Sequence, residues 1–237
     1  MNFGIIAAGD GSRLVSEGVS LPKPLVNIDG RPMIGRLIGI FESLGAQRVS
    51  VIVNEYMTEV ADYLRGLAPT LGCHLDIVVK TTPSSMHSFY ELGSLLRREG
   101  RFVLTTVDTI FAEADFRRYV EAYAQSPVAV DGMMAVTRHI DDEKPLYVET
   151  GTDMDIVAFR DEAWPEARYI SGGIYGLDSK AIDVLDECLE RGVSRMRNFQ
   201  RALVAAGMHL KAFDMGTILD VDHAGDIEKA NAFLTHR

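Results

Sequence analysis

The stretch that decides the fold reads Asn2-Phe3-Gly4-Ile5-Ile6-Ala7-Ala8-Gly9-Asp10-Gly11-Ser12-Arg13-Leu14, then Leu21-Pro22-Lys23-Pro24-Leu25, then Asp29-Gly30-Arg31-Pro32. Residues 3–8 are a short apolar run that stops at a glycine, the pattern of a buried strand entering a loop. Gly9 and Gly11 are expected to turn that loop through positive φ and to bare its backbone to a ligand. Peptide N–H groups in such a turn make an anion-binding concavity. Arg13 and Lys23 are the first two cations after the strand. A planar guanidinium fork and a compact ammonium are complementary donors for phosphate oxygens. Pro22 and Pro24 stiffen the backbone on both sides of Lys23, which suits a lysine aimed at a ligand.

Two familiar phosphate loops do not fit this stretch. The dinucleotide fingerprint needs a third glycine where Leu14 stands, and no helix signal follows at once. The Walker pattern, with its Gly-Lys-Ser/Thr, is absent.

Working outward, 237 residues with 47% hydrophobic and 24% charged residues fit one soluble globular domain. No run approaches the roughly 20 apolar residues of a membrane span. The N-terminal apolar run lacks a basic leader, so a cytoplasmic protein is expected. Cys73 and Cys188 show no metal spacing and read as free thiols. The net charge of -10 argues against a nucleic-acid binder, which needs a basic face. An acidic protein that handles nucleotides has to gather a few cations locally or recruit a metal ion.

Helical spacing of Ile34, Leu37, Ile38, Phe41 and Leu44 predicts a helix ended by Gly45. Strands are expected at 48–53, 75–79 and 102–107. Helices are expected at 56–67 and at 86–97, the second capped by Ser84 or Ser85. This alternation predicts an α/β fold, a single-domain Rossmann-like α/β/α sandwich with a mixed, mainly parallel central sheet. Ligands bind such sheets beyond the carboxyl ends of the strands. The second half changes character: runs at 129–138, 147–149 with 155–159, and 169–177 suggest antiparallel additions. Helices follow at 180–190 and 197–206, strands at 209–214 and 217–221, and a closing helix at 224–234.

Asp108, at the end of the strand 102–107, sits where a hard metal ligand is expected. Mg²⁺ is held by one or two carboxylates plus substrate phosphates. Its alternative use as a helix cap is better served by Asp115. In Asp220-Val221-Asp222-His223-Ala224-Gly225-Asp226, strand gives way to helix, and strand alternation would put Asp220 and Asp222 on one face. One aspartate of this set is expected to cap the last helix.

The run Ala-Ala-Gly-x-Gly-x-Arg-Leu at 7–14, Pro-Lys-Pro-Leu at 22–25 and Gly-x-Pro-Met-Ile at 30–34 resembles the signature of the nucleotidyltransferases that activate sugar phosphates and related alcohol phosphates. The resemblance implies a metal-dependent transfer of NMP from an NTP to a phosphorylated sugar or alcohol, with Mg²⁺ as cofactor and pyrophosphate released. It implies catalytic roles for Arg13, Lys23 and Asp108, and nucleotide binding by Ala7, Ala8, Gly9, Asp10, Gly11, Ser12, Arg13 and Lys23. It puts the second metal carboxylate at Asp222 first and Asp220 second, while Asp214-Met215-Gly216-Thr217 also looks like a family run. The base side would lie within residues 80–94, at Ser85 and Ser88. Here Pro83-Ser84-Ser85-Met86-His87-Ser88 departs from the common sugar-phosphate enzymes toward cytidylyltransferase-like members and leaves the base open. Lys144, Glu149 and Gly173 are the expected acceptor contacts. No β-helix or acyltransferase extension is read, so a bifunctional enzyme is not expected, and no feature fixes the oligomeric state.

Two rivals remain. A glycosyltransferase of related fold would show Asp-x-Asp at the fourth strand, where this chain has Asp108-Thr109-Ile110, and it gives Arg13 and Lys23 no role. A non-catalytic nucleotide-sensing subunit would keep the pocket without turnover.

Overall fold

The computed structural model describes residues 1–97, 100–141 and 143–235. The opening apolar run forms strand β1 (Asn2–Ala7), and it feeds directly into a short helix, α1 (Ser12–Ser16). That corrects the expectation that no helix follows the glycines at once. A small hairpin, β2 (Asn27–Ile28) and β3 (Arg31–Pro32), leads to α2 (Met33–Ser43). Three strand–helix repeats follow: β4 (Arg48–Val53), α3 (Thr58–Leu67), β5 (His74–Val79), α4 (Ser85–Leu96), and β6 (Phe102–Thr106) with a short β7 (Thr109–Ile110) before α5 (Glu113–Gln125). The second half supplies β8 (Gly132–Thr137), β9 (Tyr147–Thr150), β10 (Ile156–Arg160) and β11 (Tyr169–Leu177). Helices α6 (Lys180–Glu190) and α7 (Met196–Ala205), strands β12 (Leu210–Asp214) and β13 (Leu219–Asp220), and helix α8 (Ala224–Thr235) complete the chain.

The central sheet is mixed and mainly parallel, in the order β10-β9-β11-β6-β1-β4-β5, with β8 and β12 branching from β11. β1 lies between β4 and β6 and pairs with both in parallel. The chain steps to one side of β1 for β4 and β5 and to the other for β6. The crevice between the ends of β1 and β6 is therefore a topological switch point, the place where open α/β sheets bind ligands. The expected antiparallel additions are present where β11 meets β6, β8 and β9. β12 departs from that expectation by pairing in parallel with β8.

β1 is buried on both faces, which is why it reads as a continuous apolar run. Phe3, Ile5 and Ala7 join the core under α2, α3 and α5, and Phe3 stacks on Phe41 with ring centroids 4.3 Å apart. Ile6 and Ala8 join the opposite core, under α4, α6 and α7. The sheet is thus sandwiched between two helical layers. Among the described residues no helix is long and apolar enough to cross a membrane.

Candidate active site at the switch point

The turn after β1 is built from Gly9, Asp10 and Gly11. Gly11 has φ 63° and precedes α1, and its Cα faces the Lys23 side chain closely enough that an added Cβ would lie 3.0 Å from Lys23 Cβ. Gly9 does not adopt positive φ, contrary to expectation, and an added Cβ would meet nothing within 4 Å. Asp10 accepts a hydrogen bond from the Ser12 N–H at 3.1 Å and shapes the turn.

Lys23 opens a one-turn 3₁₀ segment, Lys23–Leu25, whose entry Pro22 holds at φ -51°. Its ammonium reaches Asp108 Oδ2 at 2.5 Å and Asp222 Oδ1 at 2.7 Å, and the side chain is 11% exposed. Burial alone would lower the lysine pKa, but the two carboxylates overcome it and raise it above the ordinary lysine value. Burial likewise pushes the Asp222 carboxyl up, and Lys23 and Arg13 outweigh it and hold it below the ordinary carboxylate value. Arg13 donates to Asp222 Oδ2 at 2.7 Å.

Asp108 and Asp222 are far apart in sequence, and a small two-stranded sheet brings them together. β13 pairs antiparallel with β7, Asp220 opposite Thr109, and the Val221 N–H donates to the Asp108 carbonyl at 3.1 Å. The strand is shorter than expected and ends at Asp220, so Asp220 and Asp222 do not share a strand face. Asp226, in the first turn of α8, accepts from the Asp222 and His223 N–H groups at 3.2 and 2.9 Å and fixes the approach to the helix. Asp214 is drawn away by Arg138 at 3.0 Å.

Two cavities flank this centre and share Arg13 and Asp222. The first, about 600 Å³, is lined by residues 6–13, Lys23 and Asp108, and by Asn54, Thr81, Thr82, Ser84, Ser85 and Ser88. All the residues expected to bind nucleotide therefore line one cavity. Ser84 stands at the start of α4, but its hydroxyl bonds His87 Nδ1 at 2.9 Å instead of capping the helix backbone. Asp115 likewise lies within the first turn of α5 and does not cap it. Sequence reasoning missed Asn54. Its amide donates to the Ala8 carbonyl at 3.2 Å and its oxygen accepts from the Thr81 hydroxyl at 2.9 Å, tying the ends of β1, β4 and β5 together. The signal was available, since Asn54 follows a parallel strand at its carboxyl end.

The second cavity, about 470 Å³, is lined by Lys144 and Arg197 together with His139, Asp141, Glu143, Ile170, Ser171, Gly172, Ile218, Leu219, Asp220, His223, Asp226 and Lys229. Lys144 is where an acceptor contact was expected. Glu149 is not: it lies in a surface hollow with Trp164 and is held by Arg160 at 2.6 Å. Gly173 is also displaced from the cavity wall. At φ 71° it turns toward Thr109, whose Oγ1 would lie 2.8 Å from an added Cβ, and Gly172 lines the cavity in its place. The irregular register between Ser171 and Tyr175 produces this shift of one residue. Arg197, not anticipated from sequence, is positioned by Asp161 at 2.6 Å and by the Lys144 carbonyl at 2.8 Å.

Among the described residues no group of three or more His, Cys, Asp or Glu forms a metal cluster. Two carboxylates and one cation between them do suit a Mg²⁺ whose remaining ligands are phosphate oxygens and water.

Comparison with known proteins bears on the family and the fold. The 2-aminoethylphosphonate cytidylyltransferase of Lancefieldella rimae is 30% identical over 103 residues, 42% of this chain and 39% of that protein. The bifunctional protein GlmU of Mycobacterium tuberculosis is 27% identical over 188 residues, 75% of this chain and 37% of that protein. The chain spans less than half the length of these curated relatives. The solved inositol-1-phosphate CTP transferase from T. maritima superposes with a TM-score of 0.79 at 18% identity, over 98% of this chain and 97% of that one, a likeness of fold. Residues 4–173 carry the glycine turn, Lys23 and Asp108, and they match the MobA-like NTP transferase domain, the family to which this chain belongs.

Proposed function

We propose that the chain transfers a nucleotidyl group from an NTP to a phosphorylated sugar or alcohol, releasing pyrophosphate. The observation that carries this reading is the meeting of two cavities at Arg13 and Asp222, beside Lys23 and Asp108. A donor in one cavity and an acceptor in the other would touch only there.

The acceptor phosphate is already an anionic nucleophile, so no protein nucleophile is needed. Its oxygen attacks the α-phosphorus, the bond to the β-phosphate bridging oxygen breaks, and pyrophosphate leaves. Catalysis then rests on positioning and charge neutralisation. The turn backbone at Gly9–Gly11 and the Arg13 guanidinium would hold the leaving phosphates. Lys23, buried against its two carboxylates, would donate to the α-phosphate and the incoming phosphate. Asp108 and Asp222 would hold Mg²⁺, which supplies Lewis-acid neutralisation of phosphate charge. Lys144 and Arg197 would meet the acceptor. Among the described residues lining that cavity there is no Phe, Tyr or Trp, so the quaternary ammonium of a choline would find no cage of such rings. Neutral polyols and primary amines suit its mixed carboxylates and cations better. The resemblance of the loop after β5 to cytidylyltransferase-like members, and the name of the Lancefieldella relative, favour CTP.

The test is pyrophosphate release with Mg²⁺ across four NTPs crossed with sugar 1-phosphates, inositol 1-phosphate, 2-aminoethylphosphonate and phosphocholine. One productive pair among the polyol or amine acceptors is the expected result. NTP binding without turnover on any acceptor would favour a sensing subunit. No NTP binding would overturn the reading of the glycine turn.

A further inference from the structure

Glu17 lines neither cavity. It is the residue that ends α1, and its carboxylate crosses to the other side of the site. Oε2 accepts from the Ala224 N–H at 2.6 Å, and Oε1 meets His223 Nδ1 at 2.6 Å. These partners directly follow Asp222. The hydrogen bond to His223 is the first cause holding the Glu17 carboxyl below its ordinary pKa, with the Ala224 N–H second.

The helix it ends is poorly anchored. Leu14 is the one residue of α1 that is buried. Among the described residues, Arg13 and Glu17 are the two side chains of residues 12–21 with a hydrogen bond outside that stretch. Both reach the same strip, residues 222–224. In the proposed reaction Arg13 exchanges Asp222 for phosphate oxygens. Glu17 is then the remaining polar side-chain tie between the phosphate turn and the strip that carries Asp222.

We propose that Glu17 is a positioning residue, which keeps α1 and its glycine turn in register with Asp222 while Arg13 is occupied by the nucleotide. This rests on the roles given above to Arg13 and Asp222. Misplacement of about 1 Å in a reacting array lowers rates by as much as about 10²-fold.

The experiment uses the full chain with Glu17→Ala and Glu17→Gln, and reads amide hydrogen exchange, melting temperature, CTP affinity and steady-state kinetics. Glu17→Ala is expected to speed exchange in residues 9–18 and at Ala224 while β1, β4 and β6 stay protected, and to lower kcat by about 10- to 100-fold, with KM for the acceptor little changed. Glu17→Gln keeps an acceptor for the Ala224 N–H and is expected to recover most of both losses. Unchanged exchange in Glu17→Ala overturns the proposal, whether or not the wild type turns over. So does wild-type kcat in Glu17→Ala, equal damage in Glu17→Gln, or a kcat loss that vanishes well below both melting temperatures. A silent wild type with faster local exchange in Glu17→Ala would support the tie and sink the transferase reading instead.

Discussion

Lys23 shows how one side chain can be specified by charge on both sides. The sequence marks it by flanking prolines and by its place after a glycine turn, and the structure adds the two carboxylates that neutralise it. An ammonium between two carboxylates is stable when the chain is free, and in the proposed reaction it would move onto phosphate when a nucleotide arrives. Lys23→Ala and Asp108→Asn are therefore expected to lower kcat by on the order of 10²–10³, the usual effect of losing one preorganised charge contact. Both variants should still fold, Lys23→Ala with a lower melting temperature because it leaves two facing carboxylates unneutralised, and near-normal turnover in both variants would sink the mechanism. Lys23→Ala should also raise the affinity of the nucleotide-free chain for Mn²⁺, read by titration calorimetry, because the ammonium no longer competes for Asp108 and Asp222. Unchanged affinity would remove those carboxylates from the metal assignment.

At the scale of elements, the glycine turn divides its labour. Gly11 supplies left-handed backbone before α1, and its Cα packs against Lys23. Gly11→Ala should therefore lose about 1–2 kcal/mol of stability in urea unfolding, the strain of an L-residue in that region, and displace Lys23. Gly9 has ordinary φ and open space beside it. Gly9→Ala should leave unfolding unchanged and weaken CTP binding in calorimetry. The reverse pattern would mean that the turn is held differently from this description. The pairing of β7 with β13 is the other decisive element, for it brings the strand before Asp222 alongside Asp108. Two-residue strands leave almost no periodicity to read.

At the scale of the whole molecule, Asp131, just before β8, ties distant elements of the second half together. Its carboxylate accepts from the His209 N–H at 2.9 Å and pairs with Lys180 at 2.9 Å. Burial raises its pKa, but the His209 N–H and Lys180 prevail and the carboxyl lies below its ordinary value. A depressed carboxyl contributes stability above the unfolded-state pKa of about 3.9 and loses it as pH falls through the lower folded value. The contribution should therefore be intact at pH 6 and fade below about pH 4. Urea unfolding of Asp131→Asn should show lower stability than wild type at pH 6 and a smaller drop between pH 6 and pH 3. Parallel slopes for the two chains would assign the acid limb to other carboxylates.

Much of this architecture was legible locally. The βαβ rhythm of the first half and the limits of β11 and α6 follow from hydrophobic period and turn residues, and the rule that ligands sit at strand ends places the glycine turn, the loop after β5 and Asp108 on one edge, while Ser85 and Ser88 were pointed to by the family resemblance. Those signals are carried by neighbours in sequence. The meeting of Asp222, and not of Asp214, with Lys23, the displacement of Glu149 to Arg160, and the exchange of Gly173 for Gly172 were visible only in the tertiary structure. Each depends on which distant backbone a residue pairs with and on one irregularity of register. A shift of one residue turns a strand side chain to the opposite face, and no local periodicity records it.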